Sequence, residues 1–383
     1  MVAARFVAVV PGARWDRPGR ECGILQLWVD DAYHQDVILV HGEVEAEYER
    51  LVGEVGPGEH TLRLRPHPTA PARPEAQASA LRAEPLLPRD ALEAEALREA
   101  PVIYTRAEAD PWESLWTDTP LLLFYRPRAS GIEFQCLYSN EDGGTDTRGL
   151  LAQWGRTTDI EWVLHVEAGR ATIQGRGHRT EVHSDHRVLG RRSLQVVGIH
   201  GMVGSEPPHG AMRCLLVPRF RWDDRLPREA CMDEAPWAYR LTALEMLRQG
   251  TLHPDSDPAD PTPGDLRDYA FVQVLREDAG APRTGIEIRA RVADGRVFSS
   301  THGSSAQACV RTQPFSTTVK LPRDAVVRAL EAHAVPGLDA GEVRLRLHKA
   351  FRLDGDYLPL APFATGAPVA LGPGRTAVVL WEG

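Results

Sequence analysis

The stretch YSNEDGGTDTRGLLAQWGRTTDIEW, residues 138–162, lies between two short apolar runs, 132–138 before it and 160–166 after it. Apolar runs of this length that end at turn residues are typical of buried β-strands. We therefore expect two antiparallel strands joined by a polar loop. Inside the loop, residues 148–154 are long enough for about two helical turns, and Asp146 precedes them as a candidate cap.

Similar runs recur along the chain and predict a mainly β protein, built of several antiparallel, sandwich-like domains with a few helices. The other predicted strands are residues 6–10, 24–29, 37–40, 60–64, 102–104, 120–125, 194–199, 214–217, 269–274, 285–292, 315–321, 343–347 and 376–381. Helical patterns predict helices at 89–100, with Asp90 at its start, at 235–249 and at 324–333.

Changes in composition divide the chain into four segments, as expected for 383 residues, a length at which single cores have usually stopped growing. Residues 1–67 are expected to form a small β-sandwich, and residues 68–100 a Pro/Ala-rich linker followed by a helix. Residues 101–255 are expected to form a central β-rich domain that holds the acidic stretch. After a Pro/Asp loop, residues 265–383 are expected to form a C-terminal β-sandwich.

The charge of the chain argues against a nucleic-acid partner. The formal net charge is −9 and the isoelectric point is near 5.9, whereas proteins that bind nucleic acids carry basic stripes. Lysine occurs only at Lys320 and Lys349, so the other basic residues are arginines. We interpret this as the coding bias of a GC-rich genome, and an arginine by itself therefore marks no site.

Cysteine usage and hydropathy indicate a reducing compartment. The five cysteines are Cys22, Cys136, Cys214, Cys231 and Cys309. They are scattered and contain no Cys-x-x-Cys, so they predict buried free thiols and not a disulfide framework or a structural zinc site. The apolar run at the N-terminus is short for a signal sequence, and no run reaches the ~18 apolar residues of a membrane span. We expect a cytoplasmic protein without membrane association.

The first interpretation of the acidic stretch is a metal site. Glu141, Asp142 and Asp146 are the candidate ligands, because carboxylate oxygens on one turn suit Ca²⁺ or Mg²⁺. Their spacing differs from that of the Asp-x-Asp-x-Asp-Gly calcium loop. A histidine patch around His183 and His186 is a further candidate for metal binding, with solvated surface histidines as the alternative.

The second interpretation is an acid/base site. Asp159 and Glu161 are two residues apart, so on a strand their side chains point the same way. Two carboxyl groups held close together have split pKa values, which lets one act as acid and the other as base. Arg156 is the candidate cation that holds one of them ionised. Such a pair suits a hydrolase.

The third interpretation is ligand binding without a reaction, and the fourth is purely structural. Trp154 or Trp162 offers a stacking platform for a sugar, with polar side chains at its edges. In the structural interpretation, Asp142 begins a turn, Asp146 caps a helix, and Arg156 forms a buried pair with Asp159 or Glu161 that fixes the strand.

Two motifs resemble those of a known group of proteins. The motif SNEDGGT at 139–145 and the motif WGRTTDIEW at 154–162 are similar to a motif pair of bacterial proteins and of fungal vacuolar protein sorting-associated protein 62-like proteins. The resemblance covers about residues 101–250, including WTDTPLL at 116–122 and QGRGHR at 174–179. It brings no reaction with it. Members of the group are often exported, whereas the N-terminus of this chain favours the cytoplasm.

The resemblance implies that polar residues of separate motifs share one pocket. The candidate ligand-binding residues are Asp118, Asn140, Glu141, Asp142, Trp154, Trp162 and His178, and the candidate catalytic residues are Asp159, Glu161 and Arg156. The leading hypothesis is a protein that binds a small polar ligand, such as a carbohydrate. One alternative is a hydrolase that uses the paired carboxylates, with or without a divalent metal. Another is a structural or assembly protein that meets protein partners through its terminal sandwiches.

Overall fold

The computed structural model describes residues 1–68, 75–106, 117–141, 143–198, 201–204, 210–278, 284–337 and 341–383. The chain divides into two compact units. The first comprises Met1–Gly144 and Thr158–Arg221, and the second comprises Thr145–Thr157 and Trp222–Gly383. The predicted central domain 101–255 is therefore divided between the units, and its predicted end lies inside the second.

The first unit begins with a small β-sandwich. Its strands are β1 Val2–Val9, β2 Gly23–Val29, β3 Ala32–Leu39, β4 Ala46–Gly53, β5 Leu62–Pro66 and β6 Gln77–Pro85. They form two antiparallel sheets of order β4-β1-β6 and β3-β2-β5. Residues of both sheets, among them Phe6, Leu27 and Val37, form one buried core. The alternation of apolar and polar residues along these strands fits a sheet with one buried face.

The prediction that residues 68–88 are a linker is wrong for β6. This strand pairs with β1 along most of its length, from Val2 opposite Pro85 to Val9 opposite Gln77. Most of its side chains are exposed, so backbone hydrogen bonds hold it in the sheet and apolar burial contributes little. A composition of alanine, arginine and glutamate therefore gave no strand signal. Residues 69–74 lie outside the described residues.

The rest of the first unit forms a larger sandwich. Its elements are α1 Ala91–Glu99, β7 Val102–Tyr104, β8 Pro120–Pro127, β9 Ile132–Tyr138, β10 Asp159–Glu167, β11 Arg170–Gly175, β12 Arg179–Val182, β13 Arg187–Val188, β14 Arg191–Val197, β15 Gly201–Val203, β16 Arg213–Cys214 and β17 Pro218–Arg221. One sheet has the order β12-β11-β10-β9-β8-β17, and the other has the order β13-β14-β7-β16 with β15 on β14. The pairs β8–β17 and β7–β14 are parallel, and the others are antiparallel. Side chains of both sheets, such as Phe134 and Leu194, share one core.

A buried amide connects the two sandwiches of the first unit. The Gln35 side chain donates to the carbonyl oxygen of Leu51 at 2.8 Å and accepts from the backbone N–H of Leu215 at 2.9 Å. Leu51 in turn donates to the Leu215 carbonyl at 3.2 Å. Because Gln35 is fully buried and both ends of its amide are bonded, it fixes β3 and β4 against the chain that follows β16.

The second unit is a further β-sandwich with three α-helices in the described part. Its elements are α2 Thr147–Trp154, α3 Ala230–Glu234, α4 Trp237–Gln249, β18 Tyr269–Arg276, β19 Thr284–Val292, β20 Val297–Ser299, β21 Cys309–Arg311, β22 Phe315–Lys320, β23 Val327–Ala334, β24 Val343–Phe351, β25 Val369–Leu371 and β26 Ala377–Glu382. The sheets have the orders β22-β18-β24-β25 and β20-β19-β23-β26, with β21 on β19. Together with the sheets of the first unit, they confirm a mainly β protein of several antiparallel sheets.

Helix α2 is held against β22 by side-chain hydroxyl groups. Thr317 donates to the carbonyl oxygen of Ala152 at 2.6 Å, and Thr318 donates to that of Leu151 at 3.0 Å. Ala152 lies in the last helical turn, where carbonyl groups have no partner inside the helix, whereas the Leu151 carbonyl also accepts the N–H of Gly155 at 3.1 Å. The hydroxyl groups therefore satisfy the end of α2 while they fix it on the sheet.

Three helix predictions are confirmed and one is wrong. Asp90 caps α1, Asp146 caps α2 through the N–H of Gly149 at 2.6 Å, and α4 ends at Gly250 with a φ of 68°. Residues 324–333 were predicted to be a helix, but β23 occupies most of this range. Its alanines, leucine and glutamate favour helices when isolated, and pairing with both β19 and β26 overrides that preference.

The cysteine prediction is confirmed at all five positions, where each thiol is free and buried. In the described part of the chain, no helix combines the length and the apolar character that crossing a membrane requires.

Candidate functional site

Polar residues of three neighbouring strands meet at one end of the larger sheet. Antiparallel pairing places the start of β8, the end of β9 and the start of β10 side by side, with Tyr138 opposite both Pro120 and Asp159. The residues next to these ends are Asp118, Asn140 and Asp159, and all three are buried. Of the residues predicted to share a pocket, Asp118, Asn140 and Asp159 lie at this end of the sheet.

Hydrogen bonds join the first two of these segments. The Asn140 side-chain oxygen accepts the backbone N–H of Asp118 at 3.1 Å, and the Ser139 hydroxyl accepts the backbone N–H of Thr119 at 3.0 Å. The Ser139 N–H donates to the Thr119 carbonyl at 3.0 Å. Where the strands end, side-chain oxygens thus take the place of carbonyl groups as acceptors for the backbone N–H groups of Asp118 and Thr119.

Asp118 adopts an unusual backbone conformation. Its φ is +52°, in the left-handed region that is uncommon for residues other than glycine, asparagine and aspartate. The side chain is buried, and one carboxylate oxygen lies 3.5 Å from the Arg106 guanidinium. Strained residues with buried charge occur preferentially at functional sites. Asp30, Asp31 and Asp185 also have a positive φ but are exposed, so Asp118 differs from them in being buried.

Asp159 and Glu161 project from the same face of β10. They pair with Tyr138 and Cys136 respectively, and both acids are buried. The Glu161 carboxylate accepts from the Gln174 amide at 2.9 Å, and the Asp159 carboxylate accepts from the backbone N–H of Ile160 at 2.7 Å. The two acids predicted from their spacing therefore share one face and one neighbourhood.

The pKa of the Tyr138 phenol is influenced by acids from two separate segments of the chain. Burial raises the pKa of Tyr138 well above its usual range, and the neighbouring Cys136 thiol adds to the rise. The carboxylates of Asp118 and Asp159 act in the same direction, because a second negative charge near them is unfavourable. The phenol therefore stays protonated. It offers a hydroxyl group beside two carboxyl groups, and that hydroxyl donates to the Met202 sulfur at 3.6 Å.

We refer to this group as the carboxylate site, and it consists of Asp118, Tyr138, Asn140, Asp159, Glu161 and Gln174. Sequence reasoning identified the acids and Asn140 but missed Tyr138 and Gln174 as members. The available signal for Tyr138 was its position two residues beyond Cys136 on an apolar strand, which places both side chains on one face. Three carboxyl groups, an amide pair and a phenol can hydrogen-bond a ligand rich in hydroxyl groups.

The structure places Arg156 and Trp154 in the second unit. The Arg156 guanidinium donates to the Glu229 carboxylate at 3.1 Å, and both side chains are buried. Trp154 ends α2, and its indole ring lies under the guanidinium of Arg311 at 4.5 Å. Glu229 and Arg311 were missed as partners because 73 or more positions separate them from these residues.

The predicted metal ligands are found in different settings. The Glu141 carboxylate accepts the N–H of Gly143 at 2.8 Å, and Asp146 caps α2. Asp146 also lines an open cleft of about 410 Å³ in the second unit. Asp142 lies outside the described residues. Across the described ranges, no group of three or more histidine, cysteine or acidic side chains is arranged to hold a metal ion.

The remaining predicted residues lie on the larger sandwich. Trp162 is half-buried in β10, and His178 is exposed in a turn between β11 and β12 with a φ of 62°. In the histidine patch, His183 is buried and uses both ring nitrogens. One contacts the Ser193 carbonyl at 2.9 Å, and the other accepts the N–H of Asp185 at 2.8 Å. His183 therefore has a structural role in this arrangement.

No protein-family model matches the chain, and no curated protein matches it. The function of the protein therefore has to be inferred from the residues of the carboxylate site.

Proposed function

We propose that the protein binds a small polar ligand rich in hydroxyl groups, of the carbohydrate type, at the carboxylate site. The observation that supports it is the burial of Asp118, Asp159 and Glu161 at one end of one sheet. A carboxylate oxygen can accept more than one hydrogen bond, so the oxygens that accept from the Ile160 N–H and from Gln174 can also accept from a ligand. Sugar hydroxyl groups are donors that match such acceptors.

The amide side chains support the same proposal. Asn140 and Gln174 each contact a member of the site, and each amide carries both donor and acceptor atoms. A protonated Tyr138 adds an aromatic ring with a hydroxyl group. Sites with few, well-oriented polar groups on a rigid sheet are typical of specific small-ligand binding.

The test is a comparison of two acid variants of β10 against a panel of neutral mono- and disaccharides. We expect the wild type to bind at least one sugar, detected by saturation-transfer NMR, and Asp159→Asn to lose that signal. Glu167→Gln is the matched control, because Glu167 lies at the other end of β10 and is exposed. Binding that Asp159→Asn leaves intact contradicts the proposal, and so does the absence of any bound sugar in the wild type.

Hydrolysis of the same class of ligand is a second candidate. The observation that favours it is that Asp159 and Glu161 lie two residues apart on one face of β10, opposite Tyr138 and Cys136 of β9. Release of nitrophenol from nitrophenyl glycosides tests it. We expect Glu161→Gln to reduce the rate by about 100-fold or more, the usual contribution of a general acid or base. A protein that binds sugars without any turnover rules this second candidate out.

A further inference from the structure

A stacked arginine and tryptophan lie in the second unit, at the end of α2. Arg311 is the last residue of β21, and its guanidinium carbon lies 4.5 Å from the centre of the Trp154 ring. Both side chains are half-buried. Stacking of a guanidinium on an indole is favourable, and it leaves the N–H groups at the edge of the guanidinium free to donate in its plane.

Charged residues of both signs influence the Arg311 guanidinium. Glu229 is the acid that stabilises its charge, whereas Arg228 and Arg156 oppose it. The Glu229 carboxylate already accepts from Arg156 at 3.1 Å. Burial is the main influence and lowers the pKa of Arg311 to about 10, so the guanidinium is still protonated at neutral pH.

Other arginines of this unit that stack on a ring also bind a carboxylate. Arg267 lies over Tyr357 and is 2.5 Å from the Asp265 carboxylate. Arg296 is stacked on Phe298 and is 2.8 Å from that of Asp294. For the Arg311 side chain, no hydrogen bond or ion pair is found within the described ranges. The guanidinium N–H groups of Arg311 can therefore donate to a ligand, whereas those of Arg267 and Arg296 already bind a carboxylate.

We infer that Arg311 and Trp154 form a binding site for an oxyanion, the carboxylate or phosphate group of a small solute. The planar guanidinium fork matches the two oxygens of such a group, and Trp154 holds that fork in one orientation. This site lies in the second unit and is independent of the carboxylate site.

The experiment measures binding of inorganic phosphate and of acetate to the full chain at constant ionic strength, with chloride as the reference salt. Titration calorimetry reports the affinity, and the thermal midpoint reports stabilisation. We expect at least one of the two anions to bind the wild type and to raise its midpoint. Arg311→Ala should weaken that binding about tenfold or more, as expected for a hydrogen bond to a charged group.

Arg296→Ala is the matched control, since it removes a stacked arginine that has its own carboxylate, and it should leave anion affinity unchanged. Arg311→Lys keeps the charge and loses the planar fork, so it should bind more weakly than the wild type. The inference is overturned if neither anion binds the wild type, a result that needs no variant to fold. It is also overturned if Arg296→Ala and Arg311→Ala weaken binding equally.

Discussion

Asp159 and Tyr138 are directly opposite each other on neighbouring antiparallel strands, and both are buried. Burial is the main cause that raises the pKa of the Tyr138 phenol, and the carboxylates of Asp159 and of Asp118, which precedes β8, act in the same direction. One phenol therefore responds to acids from two motifs that are far apart in the sequence. This relationship is why we treat the end of the larger sheet as one site.

The backbone of Asp118 supports a prediction about its side chain. Asp118→Ala and Asp118→Asn both remove the carboxylate, but only asparagine tolerates a φ of +52° well. We expect Asp118→Ala to lower the free energy of unfolding by about 1 kcal/mol relative to Asp118→Asn. Urea unfolding of the two variants measures the difference. Equal stabilities would show that the positive φ carries no strain.

Lys320 organises the Pro/Asp loop at 254–264. Its buried ammonium group donates to the Ser256 hydroxyl at 2.6 Å and to the carbonyls of Asp257 at 2.7 Å and Thr262 at 2.9 Å. Lys320→Met leaves these neutral acceptors unsatisfied, and we expect a loss of about 2–3 kcal/mol, as for buried hydrogen bonds to a charged group.

The control for this prediction is the other lysine of the chain. Lys349 is 2.6 Å from the Asp233 carboxylate but is more exposed, so Lys349→Met should cost about 1 kcal/mol. Urea unfolding reports both values. If Lys320→Met lowers the free energy of unfolding by no more than Lys349→Met does, Lys320 does not order the loop.

His34 predicts a loss of stability in mild acid. Burial is the main cause that lowers its pKa to about 4, and its ring contacts the Val52 carbonyl at 3.0 Å. The unfolded chain takes up the proton near the ordinary value of 6.5, so the unfolded state binds more protons between pH 6.5 and 4. Stability from the neutral ring is complete above pH 6.5 and falls as the pH decreases to 4, by about 3 kcal/mol in total.

Urea unfolding from pH 7.5 to pH 4.5 measures this effect in the wild type and in His34→Gln. The difference between the two proteins isolates His34 from the other titrating groups. We expect the wild type to lose more stability than the variant as the pH falls. Parallel pH profiles would be inconsistent with a buried, neutral His34.

The buried pair Arg156–Glu229 is suited to a double-mutant cycle. Removing either partner alone breaks the buried pair and leaves the other charge without it. Arg156→Met and Glu229→Met should therefore each lower the free energy of unfolding by about 3–5 kcal/mol. The double variant removes both charges and should cost much less than the sum. Denaturant unfolding measures the coupling free energy. Additive losses would show that the two side chains do not interact.

Local patterns predicted much of the fold. The apolar runs on either side of the acidic stretch became β9 and β10, and Asp90 and Asp146 cap helices as their positions indicate. These features depend on neighbours within a few residues, which the sequence displays directly. The prediction of shared orientation for Asp159 and Glu161 depended only on the two-residue period of a strand.

Features that depend on distant partners were not predictable in the same way. Strand β6 buries little and is held by backbone pairing with β1, and β23 carries residues that favour helices. The partners of Arg156 and Trp154 come from segments far along the chain. A single sequence contains no local sign of such contacts, so the acidic stretch was interpreted as a single pocket although its residues are divided between two units.

The most direct test of the proposed function observes Tyr138 while ligand is added. The chain has eight tyrosines, so fluorotyrosine labelling gives few ¹⁹F resonances, and Tyr138→Phe assigns the one of interest. With a sugar found in the saturation-transfer screen, we predict that the Tyr138 resonance shifts in proportion to occupancy while that of Tyr33, in the smaller sandwich, stays unchanged. A sugar that binds to saturation and leaves the Tyr138 resonance in place contradicts binding at the carboxylate site.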